Sequence, residues 1–225
     1  MSPCGGLSNV RKGKRLPTET EAEGGAYTDG NPTADNGRKR VIGRRYSLNA
    51  PVPGEAKRLA ADLLPRLTAF ERVREEHTLL VKRFGGGERG TGRRRKGGAD
   101  HRLATLRKRV RPVLEDVPPF EARITGIDCF ERPTRGSDPV LYFAVESPGV
   151  RRVHRRLVEE FGAVADLEGK DYTPHVTLAR DGSLETAREL VGEMGAIEPI
   201  EWTVSELRFY DPRYRETVGR VPLPA

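Results

Sequence analysis

Cysteine is scarce in this chain. Cys4 and Cys129 stand far apart and in no Cys-x-x-Cys spacing, so neither a disulfide framework nor a zinc site is indicated, and a reducing compartment is expected. Long apolar runs are lacking too. No stretch has the length of a signal-peptide core or a membrane span, at the N-terminus or elsewhere, which makes a cytoplasmic, non-membrane protein the expectation. Aromatic residues are few at 6%, and hydrophobic residues reach 36% against 32% charged. That balance is polar for a chain of 225 residues, long enough for a sizeable core, and implies that part of it stays outside the core. Lysine is rare among the cations, eight of 40 basic residues. Arginine, which dominates, is the side chain whose planar fork takes two phosphate oxygens at once, although a coding bias accounts for it equally well. With 33 acidic residues the net charge is +7 and the pI about 9.6, which favours a polyanionic partner such as nucleic acid.

The polar excess is concentrated in two places. Residues 1–40 hold seven glycines and one aromatic, Tyr27, too little apolar surface to offset the entropy of ordering, so a disordered basic, Gly-rich tail is expected there. Residues 85–100 hold seven more glycines around Arg93, Arg94, Arg95 and Lys96. They read as a mobile loop, either an inert insertion or a basic segment that tracks an RNA backbone. The order G-x-x-x-x-G-K-[ST] is missing, so no ATP-type phosphate cradle is indicated. What remains, residues 41–225, reads as one domain.

That domain repeats itself. Tyr46 to Pro53-Gly54 is an apolar-leaning run closed by Pro-Gly, followed by a helical stripe of Leu59, Leu63 and Leu67, then by His77. Residues 141–149 form a second run closed by Pro148-Gly149, followed by a helical pattern in Val150, Val153, Leu157 and Phe161, then by His175. Each half reads as strand, Pro-Gly turn, helix, and a strand opening with histidine, and further helices follow at about 102–116 and 183–194. Phe120 to Phe130 reads as the strand opening the second half. Residues 200–210 and 215–222 read as a final hairpin turned at Asp211-Pro212-Arg213. In the stretch Asp171 to Arg180 a regular period of two puts Thr173, His175, Thr177 and Ala179 on one face. Glu75 shares a face with His77 on the same reasoning, and a carboxylate there raises the imidazole pKa. His101 and His154 fall in helical patterns and read as structural.

His175-Val-Thr-Leu, His77-Thr-Leu and the duplicated layout around them resemble the two-histidine phosphoesterase superfamily, and within it the 2'-5' RNA ligase / RNA 2',3'-cyclic phosphodiesterase group, over residues 44 to 225. The resemblance implies an α+β, bilobal, pseudo-duplicated fold. Each lobe is then an antiparallel sheet with helices outside, the active-site cleft lies between the sheets, and each lobe supplies one H-x-T motif. The second motif fits the pattern. The first departs from it, with the hydroxyl at Thr78 directly after His77 and Leu79 at the next position.

The chemistry that follows is metal-free and cofactor-free. Opening a 2',3'-cyclic phosphate needs one group to take a proton from water and another to give one to the departing ribose oxygen, and His77 and His175 can divide those tasks. Thr177, Thr78, Arg180 and Tyr172 are the candidate donors to the phosphoryl oxygens. RNA with a cyclic-phosphate end is the expected partner and a monomer the expected state, with an RNA 5'-hydroxyl in place of water giving ATP-independent ligation. Two other readings stay open: an RNA-binding module with a degenerate first motif, and a hydrolase of a small cyclic nucleotide-like metabolite.

Overall fold

The computed structural model describes residues 46–84 and 99–224, with 99–102 described by their backbone alone. The expected tail 1–40 and nearly all of the expected loop 85–100 lie outside the described residues. The chain runs β1 (Tyr46–Pro51), α1 (Gly54–Leu63), a 3₁₀ turn (Leu64–Arg66), β2 (Arg72–Val73), β3 (Thr78–Phe84), α2 (Ala99–Leu114), β4 (Phe120–Phe130) and β5 (Val140–Glu146). It continues through α3 (Pro148–Phe161), a 3₁₀ turn (Gly169–Asp171), β6 (His175–Arg180), α4 (Leu184–Met194), β7 (Ala196–Val204), β8 (Glu206–Asp211) and β9 (Glu216–Pro222). The strands form two antiparallel sheets, one in the order β3-β1-β8-β9 and the other β2-β6-β5-β4-β7. The fold is α+β and bilobal, with the helices packed outside the sheets.

Two features of the expected layout are corrected. The Pro-Gly pairs open helices instead of making turns. Pro53 caps α1, and Pro148 occupies the first turn of α3 behind Ser147, whose Oγ accepts from the Val150 amide at 3.1 Å. Proline loses nothing there, because the first amides of a helix have no intrahelical acceptor. Gly149 is required by contact: a Cβ at that position would lie 2.3 Å from Phe120, so its absence lets α3 lie close over β4. The second correction concerns residues 200–210, expected as one strand. They divide at Ser205, with β7 in the five-stranded sheet and β8 in the four-stranded one, so this stretch carries the chain from one lobe to the other.

One apolar cluster runs through both lobes. Leu48, Leu79, Val81, Leu207 and Phe209 come from the first sheet, and Ile124, Phe143, Val145, Val176 and Leu178 from the second. Val150, Val153 and Leu157 of α3 join them at 0% exposure, each burial contributing about 1.5–3 kcal/mol.

Strand β3 is an edge, and side chains cap its free backbone groups. The Leu80 carbonyl accepts from the Tyr172 hydroxyl at 2.7 Å and the Val81 carbonyl from His154 Nδ1 at 2.7 Å. The Arg83 amide donates to Glu168 Oε1 at 2.8 Å, and its carbonyl accepts from Lys82 Nζ at 2.6 Å. Three of these caps, Tyr172, His154 and Glu168, come from the second half of the chain. They close the edge against another strand and tie it to the second lobe.

Lys82 and Glu168 form a buried ion pair, Nζ to Oε2 2.7 Å, with Lys82 1% and Glu168 3% exposed. Removing one member leaves the other charged and desolvated. Lys82→Met is therefore expected to lower unfolding free energy by about 3–5 kcal/mol, measured by urea denaturation. A loss below about 1 kcal/mol would mean that the amide donors around Glu168 suffice without the ammonium.

Candidate active site

His175 opens β6 with its ring held on one side by the backbone. Nδ1 donates to the Thr173 carbonyl at 2.8 Å, which places the proton on Nδ1 and leaves the Nε2 lone pair free. The ring meets Phe130 edge-on at 5.1 Å and lies 5.3 Å from Tyr142. Burial lowers its pKa below 6.5, and the cations Arg83 and Arg180 lower it further, against the contrary effect of the Thr173 hydrogen bond. Near neutral pH this imidazole is unprotonated, the state of a general base.

Cross-strand register sets what stands beside it. His175 pairs with Ala144 and Thr177 with Tyr142, but Arg180 pairs with Val140, because the register shifts between Leu141 and Tyr142 and Leu178 has no partner of its own. A regular strand would put Ala179 on the His175 face. The irregularity turns Ala179 into the core at 0% exposure and brings Arg180 to the same side as His175 and Thr177. The Arg180 Nε is buried with no hydrogen-bond partner among the described residues.

The first lobe carries the same irregularity in the same place. In β3, Leu80 pairs with Asn49 and Lys82 with Leu48, so Val81 is the extra residue. Superposing the two shifts aligns Thr78-Leu-Leu-Val-Lys-Arg83 with His175-Val-Thr-Leu-Ala-Arg180. Thr78 then stands where His175 does, Leu80 where Thr177 does, and Arg83 where Arg180 does. His77 precedes the strand by one residue, and the irregularity considered at His77-Thr78 lies instead at Val81.

His77 and Thr78 line a cavity of about 660 Å³ with Lys57, Arg74, Arg208 and Thr217, and His175 is not among its lining residues. Thr78 Oγ1 accepts from Asn49 Nδ2 at 3.1 Å. The expected help from Glu75 does not materialise. His77 has its pKa lowered, first by burial and then by Lys57 and Arg74, while Glu75 is exposed and reaches out to Arg215 at 3.5 Å. Residues 74–77 lie between β2 and β3, so the strand parity that put the two on one face does not apply to them.

Tyr172 is also corrected. Its hydroxyl proton goes to the Leu80 carbonyl and its ring stacks on His154 at 3.7 Å, so it holds the lobes together and has no proton left for a ligand. His154 is structural, as its pattern indicated: Nδ1 donates to Val81 and Nε2 accepts from the Gly169 amide at 2.9 Å. The side chain of His101 lies outside the described residues.

Sequence reasoning missed Arg83, Arg74 and Arg135. Arg83 depresses the pKa of His175 and of Arg180, and Arg74 that of His77 and of Arg180. Arg135, in the β4–β5 connection, acts likewise on Arg83. Aligning Thr78, not His77, with His175 is what brings out Arg83, and that alignment comes from the register of the paired strands. Among the described residues no group of three His, Cys, Asp or Glu side chains could hold a metal, and no helix is long and apolar enough to cross a membrane.

In the second lobe a histidine of lowered pKa thus stands on one face with a threonine and with an arginine whose Nε has no partner among the described residues. The sequence model of the 2'-5' RNA ligase superfamily matches residues 96–214, and the chain belongs to that family, among the two-histidine phosphoesterases. The matched region begins after His77 and contains His175. An RNA 2',3'-cyclic phosphodiesterase of Methanothermobacter thermautotrophicus is 30% identical over 110 residues, which cover 47% of this chain and 59% of that protein. The match thus spans less than two thirds of the relative's length. Among solved structures, Escherichia coli LigT complexed with NADP+ is similar with a TM-score of 0.54 at 17% identity, covering 81% of this chain and 98% of LigT. A Thermus thermophilus protein gives 0.52 at 18% identity, covering 80% and 97%. At such identities these two support the fold alone.

His77, His154 and His175 all have pKa values lowered from 6.5, with burial the largest cause in each. An unfolded chain takes up protons below about 6.5 that the folded one refuses, so stability falls as pH drops through that value toward the lower folded pKa values. Thermal melting between about pH 7.5 and 5.5, combined with NMR titration of the three imidazoles, checks this. A melting temperature that rose on acidification, with imidazoles titrating above 6.5, would contradict it.

Proposed function

We propose that the chain is a metal-independent phosphodiesterase that opens RNA 2',3'-cyclic phosphate ends, with residues 41–225 as its catalytic unit. The observation that carries this reading is the state of His175: Nδ1–H fixed on the Thr173 carbonyl, Nε2 unprotonated, and Thr177 and Arg180 on the same face. In the proposed step Nε2 takes a proton from water as its oxygen bonds to phosphorus. One ribose–phosphate bond breaks, and the departing ribose oxygen takes a proton from His77. A bound phosphate supplies the negative charge that raises the pKa of His77 against its burial and against Lys57 and Arg74, so that it carries that proton. Thr177 and Arg180 donate to the nonbridging oxygens where charge develops. An RNA 5'-hydroxyl in place of water, with O3' as the leaving oxygen, would yield a 2'-5' linkage without ATP. The basic balance of the chain and the relative that acts on RNA cyclic ends support RNA as the substrate.

A second reading has its own support: with Thr78 and Leu80 in the positions of His175 and Thr177, the first lobe holds no in-register motif, as in a binding module that has lost catalysis. Turnover of a nucleoside 2',3'-cyclic phosphate by the purified protein separates the two. Under the first reading His175→Ala and His77→Ala each lower turnover by roughly 10²–10⁴-fold. Thr177→Val costs about 2–3 kcal/mol of transition-state stabilisation, and Thr78→Val costs little. No turnover by the wild-type protein together with retained RNA binding would establish the second. His175→Ala losing activity while His77→Ala keeps it would remove His77 from the acid role.

A further inference from the structure

The two lobes differ at their histidine and threonine positions and agree at their arginines. Arg83 and Arg180 occupy matching sites in β3 and β6, paired with Ser47 and Val140 respectively, and each follows by two positions the one extra residue of its strand. The β3 and β6 strands pack against each other. The Arg83 backbone is locked from behind, its amide on Glu168 and its carbonyl on Lys82, so the root of its side chain is held in one place.

Neither guanidinium has a carboxylate partner among the described residues. Arg180 instead has Arg74, Arg83 and Arg72 as its electrostatic neighbours, and Arg83 has Arg135, with Glu168 as counter-charge. That carboxylate is already engaged by Lys82. Buried donors on Arg180 and Ser137 also lack acceptors among the described residues. The Nε of Arg180 is buried and unpartnered. Gly136 lies so close to Arg180 that a Cβ there would be 3.2 Å from Nη1, and Ser137, the next residue, has a buried hydroxyl with no partner among the described residues. Buried donors without acceptors are destabilising on their own, and clustered like charges add repulsion, so the arrangement fits an anion that is bound in use.

We propose that Arg83 is a substrate-binding residue: with Arg180 it forms a two-guanidinium clamp, one arm from each lobe, on the phosphoryl group presented to His175. The inference rests on the phosphoesterase reading for its substrate but not for its anion. The first lobe contributes this arm from the last position of the repeated motif, in place of the histidine and threonine that Thr78 and Leu80 do not supply. Forked pairing by both arginines would orient a tetrahedral phosphate, which a single point charge does not do.

Inorganic phosphate titrated into the intact protein, followed by the NMR signals of His175, tests the clamp apart from turnover. Wild-type protein is expected to bind phosphate, with Arg83→Met and Arg180→Met each weakening it by roughly tenfold or more. Arg83→Lys keeps the charge without the fork and should fall between wild type and Arg83→Met. Arg109→Met, which removes an exposed pair with Glu160, is the control and should bind as wild type does. Arg83→Met should also raise the His175 pKa in the free protein while Arg83→Lys, which keeps the charge, leaves it near the wild-type value, a split that lost packing alone would not produce. Should Arg83→Met fail to fold, Arg83→Lys decides, and a folded lysine variant binding as tightly as wild type overturns the clamp. So does a folded Arg83→Met with unaltered phosphate affinity, or a wild-type protein that binds no phosphate. Arginine-dependent phosphate binding without turnover of a cyclic phosphate would leave the clamp standing and sink the phosphodiesterase reading.

Discussion

The free edge of β3 is the constraint on which the candidate site depends. Its backbone groups have no strand to pair with on that side, and a buried amide or carbonyl left unpaired costs about as much as a lost hydrogen bond. The second half of the chain meets this need with Tyr172, His154 and Glu168. Because those side chains also bond to each other's surroundings, through the His154–Tyr172 stack and the Gly169 and Val164 amides, the edge of one lobe is fixed against the other. These bonds are directional, as apolar contact is not, and they hold β3, with Arg83 on it, against the second half of the chain.

Glu168 has the largest share in this. It accepts from Lys82, from the Arg83 amide and from the Val164 amide, three donors that together compensate a carboxylate removed from water. Lys82 lies on the core side only because Val81 is an extra residue in the strand. The same extra residue puts Arg83 on the opposite side. One local irregularity thus has two consequences, a buried ammonium that needs Glu168 and a guanidinium directed at the functional face.

The duplicated architecture survives in backbone register and in one arginine, but not in the histidine and threonine. Both motif strands skip one residue at the same place and both carry arginine two positions later, yet histidine and threonine appear together only in β6. The electrostatic result is that His77 and His175 are each held below the ordinary imidazole pKa by burial and neighbouring cations. An anion arriving beside either histidine would shift that histidine toward the protonated state.

Much of this was determined by the sequence alone. The period-two and helical patterns marked the strands and helices, β4 to the residue, because hydrophobic periodicity is set by backbone geometry. His175, Thr177 and the repeat were legible for the same reason, as was the structural place of His154 in an apolar helix face. The tertiary structure decided what depended on partners distant in sequence. Register shifts are properties of strand pairs, so no single strand revealed that Ala179 turns inward and Arg180 and Arg83 outward. His77, which looked like the first motif, falls outside β3 because the strand begins at Thr78, where pairing with Pro51 starts. Tyr172 looked like a substrate donor until the unpaired Leu80 carbonyl claimed its proton, and Glu75 looked like a neighbour of His77 until the segment before β3 proved not to be a strand. Composition favoured a polyanionic partner, and only folding set Arg74 against His77, Arg83 and Arg180 against His175, and Arg135 against Arg83.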